Sequence, residues 1–335
     1  MRRRHIIAIS GALLLCTAAY LGIGAYGYLR FTQVDNSRCQ RASTNTPTDF
    51  RSFSSSRSDF DTSPYLMRSY EEVIIESRDD KVELSGWFIP TTETTDISNT
   101  PTIVVIAGLH GCKKHYRSLT IAGMLNRNGF NVLMVDLRNH GDSAKDNGMH
   151  AAGTKEYKDI LGAWDWLVQE KGIAKEKIGV FGSSLGGRTT IIAMAKEPEI
   201  AAGLTVGSAG GFEERARFEL ERNGIPTFLL AGGLFMGELL TGDDVAAIDA
   251  EEVAREIGER PFFIMHGDSD TRVDITLAYH LEATIKEGGG DPEFWVMPGV
   301  EHSLDVYEIP EEFERRIVDF FARALSRKDE PPADN

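Results

Sequence analysis

The sequence predicts an α/β fold, a mostly parallel eight-stranded sheet with helices on both faces. Three observations predict it. From Glu71 onward, apolar runs of strand length alternate with segments of helical period. Several of the runs, TIVVI at 102–106 among them, are continuous and β-branched, as strands buried on both faces require. The composition, 41% hydrophobic and 26% charged, is that of a globular chain and excludes a collagen-like or largely disordered one.

The elements follow in order. Residues 1–30 carry Arg2, Arg3, Arg4 and Arg30 and no acid, so the net charge of −15 over 335 residues conceals −19 on the remainder. That acidity excludes a general nucleic-acid binder, which needs clustered Lys and Arg to neutralise phosphates. The run 6–29 has no charged side chain. About 20 helical residues span a bilayer core, so this run is read as a signal-anchor or transmembrane helix. Tyr20, Tyr26 and Tyr28 lie toward its far end, where amphipathic rings favour the interface. The leading arginines belong on the cytoplasmic side, which places everything after Arg30 on the non-cytoplasmic side. A cleaved signal peptide, leaving a secreted or periplasmic protein, is the competing reading, although an h-region usually has only about 7–15 residues. Leu13-Leu14-Leu15-Cys16 hints at a lipoprotein box, with bulky Leu15 where a small residue is expected.

Residues 31–64 are rich in Ser and Thr without hydrophobic periodicity and read as a tether. Cys16, Cys39 and Cys112 are scattered among anchor, tether and body, and are expected to form neither a disulfide framework nor a metal cluster. The body spans 65–328, with 329–335 as a disordered tail. Its strands are expected at 73–77, 82–89, 102–106, 132–135, 178–181, 203–206, 262–266 and 294–297. Helices are expected at 116–128, 154–170, 185–197, 275–287 and 310–326, with core stripes such as Ile160, Ala163, Trp164 and Leu167. In such sheets, chemistry sits on loops leaving the carboxyl ends of the strands.

The strongest local signal is KIGVFGSSLGG at 177–187, where Gly182-Ser183-Ser184-Leu185-Gly186 is a G-x-S-x-G motif between a strand and a helix. The turn is sharp and crowded, so small residues must flank the serine at both sides, and Ser184 projects as a nucleophile. A serine hydroxyl needs a base, and the base needs an orienting group. FFIMHGDSDTRV places Asp268 and Asp270 just after a strand, and FWVMPGVEHSLDVY places His302 in the loop after the last strand. His302 is the expected general base and Asp270 its orienter; Asp268 is the leading substitute and Asp305 a distant one. The oxyanion needs preorganised donors. Leu185 N–H, directly after Ser184, is one. The loop Leu109-His110-Gly111-Cys112 supplies the second, the backbone N–H of Cys112, with its thiol incidental and His110 organising the loop.

These residues resemble the α/β-hydrolase superfamily, in particular its single-domain esterase, thioesterase and serine-aminopeptidase-like members, from about residue 70 to 325. GLHGCKKHY, VLMVDLRNHGDSA, GSSLGG, HGDSDTRV and PGVEH follow one another in the family's order. The stretch 136–143 resembles the family's D-x-R-G-H-G-x-S loop, with Asn139 in place of glycine. The resemblance implies the α/β-hydrolase fold, acyl transfer to Ser184, and hydrolysis by water that His302 activates. It requires no metal, nucleotide or flavin cofactor. A dehalogenase or epoxide hydrolase would carry Asp where this chain has Ser184.

Residues 208–258 sit where the superfamily inserts a cap. They hold a charged stretch, EERARFELER, then an apolar one at 225–240 whose single charge is Glu238. The apolar stretch reads as a lid over an acyl pocket, an element resting on the membrane, or a buried helix pair completing the core. The expectation is a membrane-anchored serine hydrolase cleaving acyl esters or thioesters of small-molecule or lipid-like substrates. A serine peptidase on the same triad and a non-catalytic anchored binding protein are the alternatives.

Overall fold

The apolar runs assemble into one sheet. The computed structural model describes residues 2–53, 59–208 and 210–326, with side chains from His5 onward. Among them are β1 (Glu71–Glu76), β2 (Glu83–Ile89), β3 (Thr102–Ile106), β4 (Asn131–Val135), β5 (Ile178–Ser183), β6 (Ala202–Val206), β7 (Phe262–Gly267) and β8 (Glu293–Met297). They lie in the order β1-β2-β4-β3-β5-β6-β7-β8. β2 pairs antiparallel with β1 and β4, and every other pairing is parallel. The helices are α1 (Arg2–Thr32), α2 (Ser37–Arg41), α3 (Tyr116–Asn126), α4 (Tyr157–Gln169), α5 (Leu185–Lys196), α6 (Phe212–Arg222), α7 (Leu229–Thr241), α8 (Ala250–Val253), α9 (Ile275–Glu287), α10 (Asp305–Glu308) and α11 (Pro310–Leu325).

The sheet separates two apolar layers. β3 sends Val104 and Ile106 to one and Ile103 and Val105 to the other, which is why its sequence is an unbroken apolar run. The first layer takes Ile160, Trp164 and Leu167 from α4 with Leu281 and Ile285 from α9. The second takes Leu119 and Leu125 from α3 with Phe313, Ile317 and Phe321 from α11. Two helices differ from expectation at their ends. α4 begins at Tyr157 because the buried Glu156 carboxylate accepts the N–H groups of Ala151 and Gly153, holding 151–154 as a turn. α3 stops at Asn126, before the turn completed by Gly129 at φ 90°.

The stretch read as a tether is docked on the body over its first part. Thr32 O accepts from His150 N at 2.8 Å, and Val34 N donates to Gly148 O at 3.0 Å. Asn36 donates to Asn139 O and accepts from Gly141 N, Asn45 donates to Lys114 O, and Phe50 is buried. Side-chain amides bonding to backbone do this docking, and they leave no periodic pattern. Residues 54–58 of the tether and the tail 329–335 lie outside the described residues. The expectation that the cysteines stay unpaired is corrected. Cys39 and Cys112, 73 residues apart, form a disulfide with Cα atoms 6.0 Å apart, while Cys16 is free and exposed. The docking of α2 against the β3–α3 loop brings the two sulfurs together.

α1 is long and apolar enough over His5–Thr32 to cross a membrane, by length and composition. Its carboxyl-terminal half also packs along α7. Tyr20 Oη donates to Phe228 O at 2.9 Å, Gly24 lies against the backbone of Gly232 and Gly233, and Tyr28 covers Gly237. A Cβ at Gly24 would come within 2.7 Å of backbone atoms of Gly232 and Gly233, so only glycine permits this approach. α7 is therefore not a buried core helix: its glycine face is covered by α1, while Phe235, Leu239 and Leu240 are exposed.

Candidate active site

The G-x-S-x-G segment forms the β5–α5 turn. A Cβ at Gly182 would strike the Gly186 carbonyl, and one at Gly186 would lie 2.6 Å from Ala107 O. Ser184, between them, sits at φ 50°, ψ −115°. A non-glycine residue held there costs roughly 1–3 kcal/mol, a strain that surrounding structure must maintain. Part of that hold is the bond from Ser184 N to Val206 O, 2.9 Å. The side chain is half-buried at the amino end of α5, where unpaired N–H groups stabilise negative charge.

Gly207, the residue after β6, touches His302. A Cβ on it would lie 3.2 Å from His302 Nδ1 and 3.4 Å from Asp270 Oδ2. His302 Nδ1 donates to Asp270 Oδ2 at 2.6 Å. The other carboxylate oxygen accepts from Arg272 N at 2.8 Å and Val273 N at 2.9 Å. Burial opposes ionisation of Asp270, but the hydrogen bond and charge of His302 and the two N–H donors outweigh it, holding the carboxyl below its ordinary range. Ser184 Oγ itself makes no direct hydrogen bond to His302 among the described residues. Such bonds are often long before substrate arrives.

Asp268 is elsewhere: it is exposed and accepts from Gly299 N at 2.7 Å, bracing the His302 loop from outside. Asp305 is committed to Arg117, whose Nε and Nη2 grip it as a fork while Nη1 donates to Ser183 Oγ at 2.8 Å. This buried arginine thus ties the strand end before Ser184 to the segment after His302. Glu301 does similar work: one oxygen accepts from Thr271 N and His302 N, clasping the Asp270 loop to the His302 loop. Behind them, fully buried His266 donates from Nε2 to Val273 O, and burial pushes its pKa down, so it is neutral beside Asp270. Arg117, Glu301 and His266 escaped the sequence reading. The only trace was their position, His266 and Glu301 within quoted motifs and Arg117 directly after one.

The β3–α3 loop is held just as closely. Gly111 N donates to Gly108 O, and Lys113 N donates to Asp136 Oδ1 at 2.6 Å. Lys113 Nζ, buried, reaches Asp136, Asp142 and Ser85. Between these committed groups, Cys112 N–H has no partner among the described residues, and neither does Leu185 N–H. Gly108 lies against Ser184, where an added Cβ would be 3.1 Å from Ser184 Cβ. Cys112 is buried and disulfide-bonded, so its sulfur is no nucleophile. His110, at φ 62°, accepts Asp35 N–H on Nδ1 at 2.9 Å and thereby seats the post-α1 segment on this loop.

The family's glycine position is explained too. Asn139 has φ 66°, which asparagine tolerates, and its amide accepts from Asp146 and Gly148 N–H and donates to Met149 O. The group Glu214, Glu251 and His280, on α6, α8 and α9, is spaced as metal ligands are. It takes no part in the arrangement around Ser184.

A family model described as the prolyl oligopeptidase family matches residues 115–209, a stretch that includes Ser184 but neither Asp270 nor His302. The sn-1-specific diacylglycerol lipase ABHD11 of Mus musculus is 34% identical over 106 residues, 32% of this chain and 32% of that protein. Acylamino-acid-releasing enzyme 1 of Oryza sativa subsp. japonica is 25% identical over 227 residues, 63% of this chain and 28% of that one. The chain thus spans under a third of the length of either relative. The Pyrococcus furiosus esterase Pf2001 superposes with a TM-score of 0.63 over 82% of this chain and 97% of its own, at 23% identity. The fold is the α/β-hydrolase fold, with α6 to α8 as the cap, and the similarity is to serine hydrolases.

Proposed function

We propose that the chain is a serine hydrolase of acyl esters, with Ser184 as nucleophile, His302 as general base and Asp270 as its orienter. The observation that carries this reading is the strained Ser184 at the head of α5, bonded to Val206 O, with the next residue, Gly207, against an imidazole fixed by a buried carboxylate. Ser184 Oγ attacks the ester carbonyl as its proton passes to His302. The oxyanion is held by Leu185 N–H and Cys112 N–H, both free of other partners among the described residues. Collapse breaks the bond to the leaving alkoxide, which takes the proton from His302. A water then gives its proton to His302 and attacks the acyl-enzyme, regenerating Ser184 and releasing the acid. Peptide amides are the second reading, supported by the prolyl oligopeptidase model; the lipase relative and the apolar surroundings of α7 support esters.

The chain is further read as anchored by α1, with the hydrolase on the non-cytoplasmic side. The Cys39–Cys112 disulfide supports that side, since such bonds persist in oxidising compartments. Retention of α1 is supported by its packing on α7, because cleavage after residue 25 would strip Tyr20 and Gly24 from the cap. A fluorophosphonate probe should label Ser184 in folded protein, and absence of labelling sinks the hydrolase reading. Parallel rates on p-nitrophenyl esters and aminoacyl anilides decide between ester and amide. Protease protection in sealed vesicles decides the side, and the mature amino terminus decides retention.

A further inference from the structure

The Cys112 N–H proposed to hold the oxyanion lies in a turn that the body's own contacts fix only in part. Gly111 N donates to Gly108 O at 2.9 Å, closing 108–111, and His110 within it is held at φ 62°. A residue in that conformation costs roughly 1–3 kcal/mol and keeps it only where its surroundings enforce it. On the other side, His115 N donates to Cys112 O at 3.0 Å and Lys113 N to Asp136 Oδ1 at 2.6 Å, which fixes the peptide plane after Cys112. The plane before Cys112 carries the donor, and among the described residues no hydrogen bond holds that N–H.

The segment after α1 supplies the missing restraint. Asp35 N donates to His110 Nδ1 at 2.9 Å, and burial keeps that imidazole neutral and able to accept. The Asp35 carboxylate accepts from Ser37 N and Oγ at the start of α2, and Asn36 bonds to Asn139 O and Gly141 N. Cys39, buried on α2, joins this seated segment covalently to Cys112. Two heavy-atom neighbours of Cys112 Cα are therefore placed: Cβ by the sulfur bridge, and the carbonyl carbon by the His115 and Lys113 bonds. The chirality of an L-residue then places the third, the nitrogen that carries the donor. Such a donor must lie about 2.7–3.1 Å from the oxyanion. A misplacement of about 1 Å is enough to cost on the order of 10²-fold in rate.

We propose that Cys39 is a positioning residue for the reaction: the Cys39–Cys112 disulfide holds the Cys112 N–H toward the oxyanion, so ester hydrolysis is fast only in the oxidised chain. This rests on the ester-hydrolase reading above. Oxidation removes two protons and two electrons. One cysteine thiolate attacks an external disulfide and expels a thiolate, and the other attacks the resulting mixed disulfide and expels the second. A dithiol reverses the exchange, ending as its own cyclic disulfide while Cys39 and Cys112 return to thiols.

Full-length protein is assayed well below its unfolding midpoint on p-nitrophenyl butyrate and on its thionoester, in which sulfur replaces the carbonyl oxygen. Sulfur accepts hydrogen bonds weakly, so the thionoester draws little from the oxyanion donors and reports everything else. Denatured without reductant, the wild type should show one reactive thiol, Cys16, among its three cysteines. Cys39→Ser should lower kcat on the oxoester by about tenfold or more, part of the roughly 10²–10³-fold that deleting a donor costs. KM should change by less than about threefold, since the donor acts in the transition state. The oxoester-to-thionoester ratio should shrink by the same factor as kcat, whereas a merely structural loss lowers both rates together and leaves the ratio in place. Cys112→Ser keeps the N–H and removes the same bridge, so it should match Cys39→Ser, and the double variant should add nothing. Wild type treated with dithiothreitol until all three thiols react should show the same reduced ratio, restored on reoxidation, and supplies the measurement where a variant fails to fold. Equal ratios in bridged and unbridged chains overturn the inference, as do three reactive thiols in fully active wild type. Wild type that takes no fluorophosphonate label and turns over neither ester is a different result: it brings down the ester-hydrolase reading itself, and this inference with it.

Discussion

The loops at the carboxyl edge of the sheet and the cap above them are built by opposite means. The loops are pinned by buried charge: Arg117 on Asp305, Lys113 on Asp136, Arg138 on Asp159. Each such pair loses solvation on burial and is stabilising only in good geometry, so it specifies one arrangement and tolerates little else. The cap's apolar helix instead meets α1 through glycines and tyrosine faces, with large apolar side chains left exposed. Apart from the Tyr20 Oη bond to Phe228 O, these contacts are apolar and non-directional. Groups that must hold sub-ångström geometry lie where directional bonds converge, and the part that would meet varied acyl groups lies where they are sparse.

The largest test of this contrast is Ser184→Ala, expected to lower kcat by at least about 10³-fold while leaving the unfolding midpoint in place. Retained turnover would remove the chemistry from the pinned loops. Next, Arg117→Met should cost roughly 3–5 kcal/mol by leaving the Asp305 carboxylate buried and alone. Urea titration of the double variant Arg117→Met/Asp305→Leu should recover most of that loss if the penalty comes from the orphaned charge. Replacing Cys39 by Ser should cost about 4 kcal/mol, the chain-entropy value for closing a 73-residue loop. Reductant should reproduce the effect in the wild type and add nothing in the variant.

Acid should act on the same side of the comparison. Burial lowers the pKa of His110, His115, His140, His150 and His266, to about 4 for His115 and about 3 for His150. Below the unfolded histidine value of about 6.5 the unfolded chain binds more protons, so stability falls as pH drops from there toward the folded values. All five lie in the body's loops and strands, none in the cap. Denaturant midpoints should therefore decline from pH 6.5 downward, and a flat profile to pH 4 would contradict their buried, neutral state. The smallest effect belongs to the cap. Gly24→Leu would push α7 off α1, changing the relative rates on long and short esters several-fold while the body's thermal midpoint moves only slightly.

What the sequence made legible follows the same division. The sheet was readable because strands buried on both faces need unbroken β-branched runs, and the eight expected segments coincide with β1 to β8 within two residues at their ends. Ser184, Asp270 and His302 were nominated because the motif and the chain order of the loops are local signals, and the fold brings Asp270 and His302 to 2.6 Å of one another. Arg117 and Asp305 were not, since 188 residues separate them and neither belongs to a periodic pattern. The Cys39–Cys112 pairing was invisible for the same reason. So was the docking of 32–53, where Asn36 and Asn45 act through single side-chain bonds in a segment whose composition suggests a loose linker. Asn139 looked like a departure from the family pattern, yet it keeps glycine's backbone geometry and adds three bonds.

The disulfide also decides how force travels through the molecule. Tension along α1 passes through residues 33–38 to Cys39, and from there one covalent bond carries it directly to Cys112. The chain between the two cysteines, which includes β1, β2 and β3, is bypassed and bears no load. A pull on the leader is therefore delivered to the loop beside Ser184 rather than dissipated by peeling the edge of the sheet. Leader and loop form a single mechanical member, and its compliance is that of a few residues and one sulfur bridge.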